Sequence, residues 1–383
     1  MCDILKHTTM KTGDKTMKKI HRTLSLFAVA AMCTALLCSC GAVSDSSQTD
    51  SSSKAATTTT ADTTADTTTA GEASSTASAT SAPDSSVSDS SSAVTDDTKT
   101  NGITPAMWKV TSPEGNTMVM LGSFHALKDE CYPLPEAVTN AYNNADILAV
   151  ECDITSTSED GEYMKNLMKQ MLYNDNTKLS QHISEEAYSA LQTYLGYWGM
   201  DISALEVYRP WAVSSTLDTL LIQDSGFDTE KGLDNFLLTT AHADGKEIYE
   251  VESVDFQMNL LINFSDDIYD LMFRSYEGET KESQKQALED LYTAWKSGDI
   301  ETFLEEDNEE ELAGYTEEDK KIAEDYNNQM LYDRNKNMAK AAEDLMSQGK
   351  NVFYVVGAAH YAGEGGIIDL LEKDGYTAER VQY

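Results

Sequence analysis

Residues 41–101 consist almost entirely of Ser, Thr, Ala and Asp, with hardly a large apolar side chain among them. Such a stretch cannot bury enough apolar surface to offset the entropy of ordering its backbone. It therefore divides the 383-residue chain into a leader, residues 1–40, and a segment able to fold, residues 102–383. The stretch reads as a disordered tether, open to O-glycosylation, that holds the folded part away from a membrane or carries it through a wall. A ligand-binding tail is the other reading.

In the leader, residues 17–41 run MKKIHRTLSLFAVAAMCTALLCSCG, so that Lys18, Lys19 and Arg22 precede an apolar run over 24–37. That run is shorter than the roughly 20 residues a membrane-spanning helix needs, and a basic flank before it predicts a secretion signal. Leu37-Cys38-Ser39-Cys40 resembles the lipobox of bacterial lipoproteins, which implies that Cys40 is acylated and becomes the new amino terminus. Met17 is the expected start, because residues 1–16 form a polar preface that such signals usually lack. The expected location is extracytoplasmic, with the membrane reached through the lipid anchor.

The formal charge of −37, from 65 acidic against 28 basic residues, argues against nucleic acid or an anionic membrane surface as a partner. Of six cysteines, only Cys131 and Cys152 fall in the folding segment. Two cysteines do not make a disulfide scaffold, and neither has metal-type C-x-x-C spacing. They either pair in an oxidising compartment or stay as two inert thiols.

The folding segment suits one large domain, with no internal linker that would split it. Its two ends read as α/β. The apolar run 117–121 (TMVML), a helix over 134–144 and the run 146–150 (DILAV) make strand, helix, strand. A helix over 338–348, the run 352–356 (VFYVV), a helix over 367–372 and a strand over 377–382 make the other end, with Gly349 and Gly375 at the helix ends. A third unit lies between them, a helix over 233–243 that stops at Gly245 before the run 247–251 (EIYEV). The two ends share one order, an apolar strand, Gly-x-x-His, a loop, a helix and another strand, from either a remote internal duplication or ordinary α/β grammar. Residues 269–337 read as several amphipathic helices forming a lid or side layer. The expected fold is α/β, a mixed and mostly parallel sheet with flanking helices and a helical insertion.

Four histidines lie in this segment: His125, His182, His242 and His360. Two share a setting, because His125 closes LGSFH and His360 closes VGAAH, each three residues after a glycine at the end of an apolar strand. In an α/β sheet the carboxyl ends of strands open into the ligand crevice. Imidazole there suits a transition metal or general-base work near neutral pH. His182, just before a helix, and His242, within one, read as structural. Two neutral imidazoles around a metal usually need an oxygen ligand and an acid to move protons. Glu151 and Asp153 follow one strand and Glu252 and Asp255 another, with Glu151 best placed.

Taken in order, several short motifs resemble the TraB/GumN family, related to the TIKI metalloproteases, over residues 108–381. They begin with Gly122 to His125, Tyr132-Pro133-Leu134-Pro135-Glu136, and Ala145-Asp146 followed by Val150-Glu151-Cys152-Asp153. Arg209-Pro210-Trp211, Gly232-Leu233-Asp234 and Val251-Glu252-Ser253 with Gln257 follow, then Arg334-Asn335 and the second G-x-x-H at Gly357 to His360, continuing to Gly366. Phe124 replaces the more usual β-branched aliphatic residue and Tyr361 a common leucine, both apolar exchanges.

The resemblance implies a metal-dependent, hydrolase-like site on a fold similar to erythromycin esterase and ChaN-like proteins. Carried over by position, the core is His125, His360 and Glu151, with Arg334 nearby. With a metal held by the two histidines and Glu151 to activate water, Arg334 is expected to stabilise the developing oxyanion and Glu252 to carry a proton. The expected cofactor is a divalent metal ion, manganese, cobalt or zinc, and the expected partner a peptide or small-molecule substrate. The alternatives are a module that sequesters a peptide or pheromone without cutting it, and a surface protein that binds haem or iron.

Overall fold

A computed structural model describes residues 102–156, 161–304 and 315–383. The leader, Cys40 and the Ser/Thr-rich tether expected from sequence lie outside the described residues.

Among the described residues the strands are β1 (Met107–Thr111), β2 (Thr117–Ser123), β3 (Ile147–Val150), β4 (Glu247–Glu250), β5 (Val352–Gly357) and β6 (Thr377–Arg380). They form one sheet in the order β4-β3-β5-β2-β1-β6. The pairs β4/β3, β3/β5 and β5/β2 are parallel, whereas β1 is antiparallel to both β2 and β6. Every residue of β3 and β5 is buried, the pattern of a parallel strand covered on both faces. Their apolar runs, ILAV and VFYVVG, are continuous for that reason. The edge strands β4 and β6 are largely exposed. The mixed, mostly parallel sheet expected from sequence is therefore present.

Strand β1 has no counterpart in the sequence reading, because exposed Lys109 interrupts its apolar run. It forms a hairpin with β2, whose turn is closed by Ser112 accepting at Oγ from the Asn116 N–H at 3.2 Å.

The helices are α1 (Glu136–Asn144), α2 (Gly161–Gln170), α3 (Glu185–Tyr197), α4 (Pro210–Asp224), α5 (Leu233–Asp244), α6 (Val254–Asn263), α7 (Asp266–Arg274), α8 (Lys281–Ser297), α9 (Glu317–Asn327), α10 (Asp333–Ser347) and α11 (Ile367–Lys373). The helical layer is larger than expected, since α2, α3 and α4 precede the 269–337 segment and α3 and α4 pack on α7.

Three local features bring helices to the sheet. The Trp295 indole N–H of α8 donates to the Gly122 carbonyl at 3.0 Å, and Phe124 packs its ring on Tyr292, Trp295 and Phe303. The loop after β2 pairs Leu127 with Asp228 in both directions, at 3.1 and 3.0 Å, and the Leu233 N–H donates to the Phe124 carbonyl at 3.1 Å. This places the start of α5 beside His125. Between α9 and α10 a π-helical turn, Asn328–Tyr332, widens the helix just before Arg334. Such turns are rare and concentrate at functional sites.

Cys131 and Cys152 are both buried free thiols. Cys131 lies 3.0 Å from the Tyr292 hydroxyl and the Cys152 thiol donates to the Gln257 side-chain oxygen at 3.4 Å.

Candidate active site

Strands β3, β5 and β2 lie side by side and parallel, with Gly122 opposite Val356 and Ser123 opposite Gly357. Two G-x-x-H segments that leave adjacent parallel strands at the same level must deliver their histidines to the same end of the sheet. Glu151 follows β3 on the other side of β5, and its Oε1 accepts the Gly357 N–H at 2.7 Å. The carboxyl end of the sheet thus brings together His125, Glu151 and His360, as the strand-end argument expects.

The packing at Gly357 measures the convergence. A methyl group placed on this glycine would stand 3.1 Å from Glu151 Oε1, 3.4 Å from His125 Nε2 and 3.6 Å from His360 Cδ2. His360 Nε2 itself lies 3.7 Å from Glu151 Oε1. Among the described residues, no group of three or more His, Cys, Asp or Glu side chains stands in a geometry that could hold a metal ion.

Each imidazole is held at its other nitrogen. His125 Nδ1 lies 2.8 Å from Asp234 Oδ2, and His360 Nδ1 lies 2.6 Å from Asn335 Oδ1. The Asn335 amide donates from Nδ2 to the Gly365 carbonyl at 2.9 Å, which fixes Oδ1 as the atom turned to His360. Since Oδ1 only accepts, His360 carries its proton on Nδ1 and presents Nε2 as an acceptor.

The two rings differ in charge. Burial lowers His125, but the charge of Asp234, its hydrogen bond and the charge of Glu151 more than reverse this and raise it to about 9. Burial and the Arg334 charge lower His360 to about 3 against the pull of Glu151.

Glu151 is pushed up by burial, yet the neighbouring His360, Arg334 and His125 charges hold it below the usual carboxylate range. With His360 neutral, the lasting cations are Arg334 and His125. Arg334 Nη2 donates to Glu151 Oε2 at 2.7 Å and to Glu252 Oε2 at 2.8 Å, Nε donates to Glu252 Oε1 at 2.9 Å, and Nη1 to the Met330 carbonyl at 3.0 Å. Gln257 Nε2 donates to Glu151 Oε2 at 2.9 Å and to Glu252 Oε2 at 2.6 Å. The expected neighbours Glu151, Glu252 and Arg334 thus form one buried network, in which Glu252 primarily fixes the guanidinium.

Other candidates lie elsewhere. Asp153 accepts from Thr155 and pairs with His242 Nε2 at 2.8 Å, while Asp255 is exposed in the first turn of α6. His182 pairs with Asp266 at 2.8 Å and stacks on Tyr173, in keeping with a structural role. Sequence reasoning gave no role to Asp234, Asn335 or Gln257. Their presence in quoted motifs was the available signal, but which atom each would meet depends on chain pairing across 25 to 109 residues.

Residues 106–380 match the model of the TraB/PrgY/gumN family. The chain belongs to this family. All the site residues of this TraB/PrgY/gumN member, from His125 to His360, fall inside the match. Its relatives include the uncharacterized protein YbaP of Escherichia coli, 26% identical over 157 residues that cover 41% of this chain and 56% of YbaP. A protein named metalloprotease TIKI homolog from Nematostella vectensis is 24% identical over 293 residues, covering 65% of this chain and 61% of that protein. Metalloprotease TIKI2 of Danio rerio is 25% identical, over 38% of this chain and 32% of its own length. The chain thus spans between a third and three-fifths of the length of these curated relatives. No solved structure matches it, and likeness to erythromycin esterase and ChaN-like proteins remains what the sequence resemblance implied.

Proposed function

We propose that this chain is a lipid-anchored, extracytoplasmic, metal-dependent hydrolase acting on peptides. The observation that carries the reading is the pair of imidazoles from adjacent strands, each anchored at Nδ1, with their other edges meeting at Glu151 Oε1 beside Gly357. The residues fit a divalent cation in their donor chemistry. Two imidazole nitrogens and a carboxylate oxygen suit manganese, cobalt or zinc, and a histidine ligand whose other nitrogen is bound to a carboxylate or carbonyl is the usual outer support. The TIKI relatives are named metalloproteases.

In this reading His125, a cation without metal, would give up its Nε2 proton on binding, and His125 and His360 would hold the cation through Nε2 with Glu151 Oε1, which has lone-pair capacity left beyond the Gly357 bond. When bound, the cation supplies Lewis-acid polarisation and a lowered pKa of water. Asp234 and Asn335 set the ring orientations. Arg334 holds Glu151 ionised and places a fixed positive charge next to the carbonyl under attack, where developing negative charge needs it. Gln257 and Glu252 keep the guanidinium from turning away.

Metal content of the purified full chain and of a His125→Ala/His360→Ala double variant tests this, with cleavage of a peptide mixture followed by mass spectrometry. Near-stoichiometric metal and cutting in the natural chain, both lost in the variant, are expected. Equal metal in the two samples overturns the reading. Labelling cells with a fatty-acid probe tests the anchor, with incorporation expected in the natural chain and absent in Cys40→Ser.

A further inference from the structure

Above the polar cluster lies a cavity of about 70 Å³ whose floor is His125, Glu151, Arg334 and His360. Its walls are apolar: Phe124, Ile222 of α4, Leu288 and Leu291 of α8, Phe303 and Leu331. The helical layer therefore roofs the reacting centre and decides what can reach it. Ser123, the last residue of β2, also lines the chamber, is 2% exposed, and its Oγ has no hydrogen-bond partner. An unpaired buried hydroxyl carries a desolvation penalty unless something arrives to bond it.

From these features we infer that the chamber is the specificity pocket for a single valine-sized side chain of a peptide substrate, with the Ser123 hydroxyl donating to a main-chain carbonyl of the same residue. The inference rests on the hydrolase reading above and adds to it the substrate class. Size sets the upper limit. A benzene ring occupies a cavity of roughly 150 Å³, and on that scale 70 Å³ takes about three carbons, an isopropyl group. Polarity excludes the rest. Each charged group on the floor is already paired, so an ionised side chain entering the chamber would lose its hydration without gaining a free counter-charge.

A second, narrower opening reaches His125 and Glu151 from the far side, between Cys152, Ile154, Asp234 and Asn235. The reacting centre thus has space on two sides, the apolar chamber on one and the cleft beside Cys152, Ile154, Asp234 and Asn235 on the other. An extended peptide, rather than a compact small molecule, uses both.

Binding of four probes to the full chain tests the inference without requiring turnover: N-acetyl-valinamide, N-acetyl-glycinamide, N-acetyl-phenylalaninamide and N-acetyl-lysinamide, titrated by NMR. The valine probe is expected to bind at least about tenfold more tightly than the others, in line with burial of a few methyl groups at about 0.8 kcal/mol each. Leu291→Ala should enlarge the chamber and move the preference from valine to phenylalanine. Ser123→Ala should weaken all four probes by a similar factor and leave their order intact. If Leu291→Ala does not fold, Phe303→Ala enlarges the chamber at another lining residue. Probes that bind alike, or an order unchanged in the enlarged variant, overturn the chamber. Selective binding of the valine probe by a chain that cuts no peptide supports the chamber and overturns the hydrolase reading. Cutting without preference for a short aliphatic residue does the reverse.

Discussion

His125 Nδ1 and Asp234 Oδ2 stand 2.8 Å apart, joined across 109 residues by the pairing of the loop after β2 with the segment that leads into α5. The contact sets the plane of the ring, turns Nε2 toward Glu151, and raises the imidazole to about 9 in spite of its burial. Asp234→Ala should lower metal affinity by about 10–100-fold, the usual effect of losing an outer partner of a histidine ligand. Calorimetric metal titration beside a thermal melt checks this. A large fall in affinity with a near-normal melt is expected, whereas unchanged affinity would remove Asp234 from the site.

Gly357 is required by its neighbours rather than by its backbone, since its φ of −52° is open to any residue. Gly357→Ala should keep the fold but set a methyl group 3.1 Å from Glu151 Oε1 and 3.4 Å from His125 Nε2. Loss of peptide cleavage by at least about tenfold, with unfolding shifted by no more than about 1–3 kcal/mol for overpacking, is the expected result. Cleavage assays and urea titration read the two quantities separately.

Arg334 compensates two carboxylates in a region where its own side chain is 7% exposed and those of Glu151 and Glu252 are 11% and 5% exposed. Arg334→Met would take from both acids the cation they share. Removing one partner of a buried pair typically costs about 3–5 kcal/mol, so urea denaturation should show a loss of that order. Arg334→Lys should recover part of the stability and less of the activity, because an ammonium cannot reproduce the two-sided fork.

Asp218 in α4 is a different kind of buried acid. Its Oδ2 has no partner, and burial raises its pKa well above the usual carboxylate value. A folded pKa above the unfolded one means that the contribution to stability is fully present below about pH 4, the ordinary Asp value, and is lost as pH rises through the folded value. Asp218→Asn, which mimics the protonated form, should therefore raise the urea midpoint at pH 8, with the gain shrinking toward pH 4. A gain that is the same at both pH values counts against a titrating Asp218.

The candidate site was partly legible one residue at a time. His125, His360 and Glu151 each follow an apolar run, and the two glycine-spaced histidines share a setting that chance seldom repeats. Arg334, Asn335 and Gln257 offered no such signal. Arg334 sits on a polar helix whose register is altered by the π turn at Asn328–Tyr332, and Gln257 looks like any polar residue on an amphipathic helix. Their use is set by which atoms face them.

What the sequence determined by itself is what local chemistry governs. The central strands show as continuous apolar runs because both their faces are covered, and the strand-end glycines and histidines mark where the chain leaves the sheet. The tertiary structure alone decided the order β3-β5-β2, which sets Glu151 and the two histidines side by side, and the choice of Asp234 and Asn335 as their partners. Periodicity reports how a segment is buried, not which segment lies next to it. Strand order depends on non-local pairing and on helices packing over both faces, and the site is a product of that order.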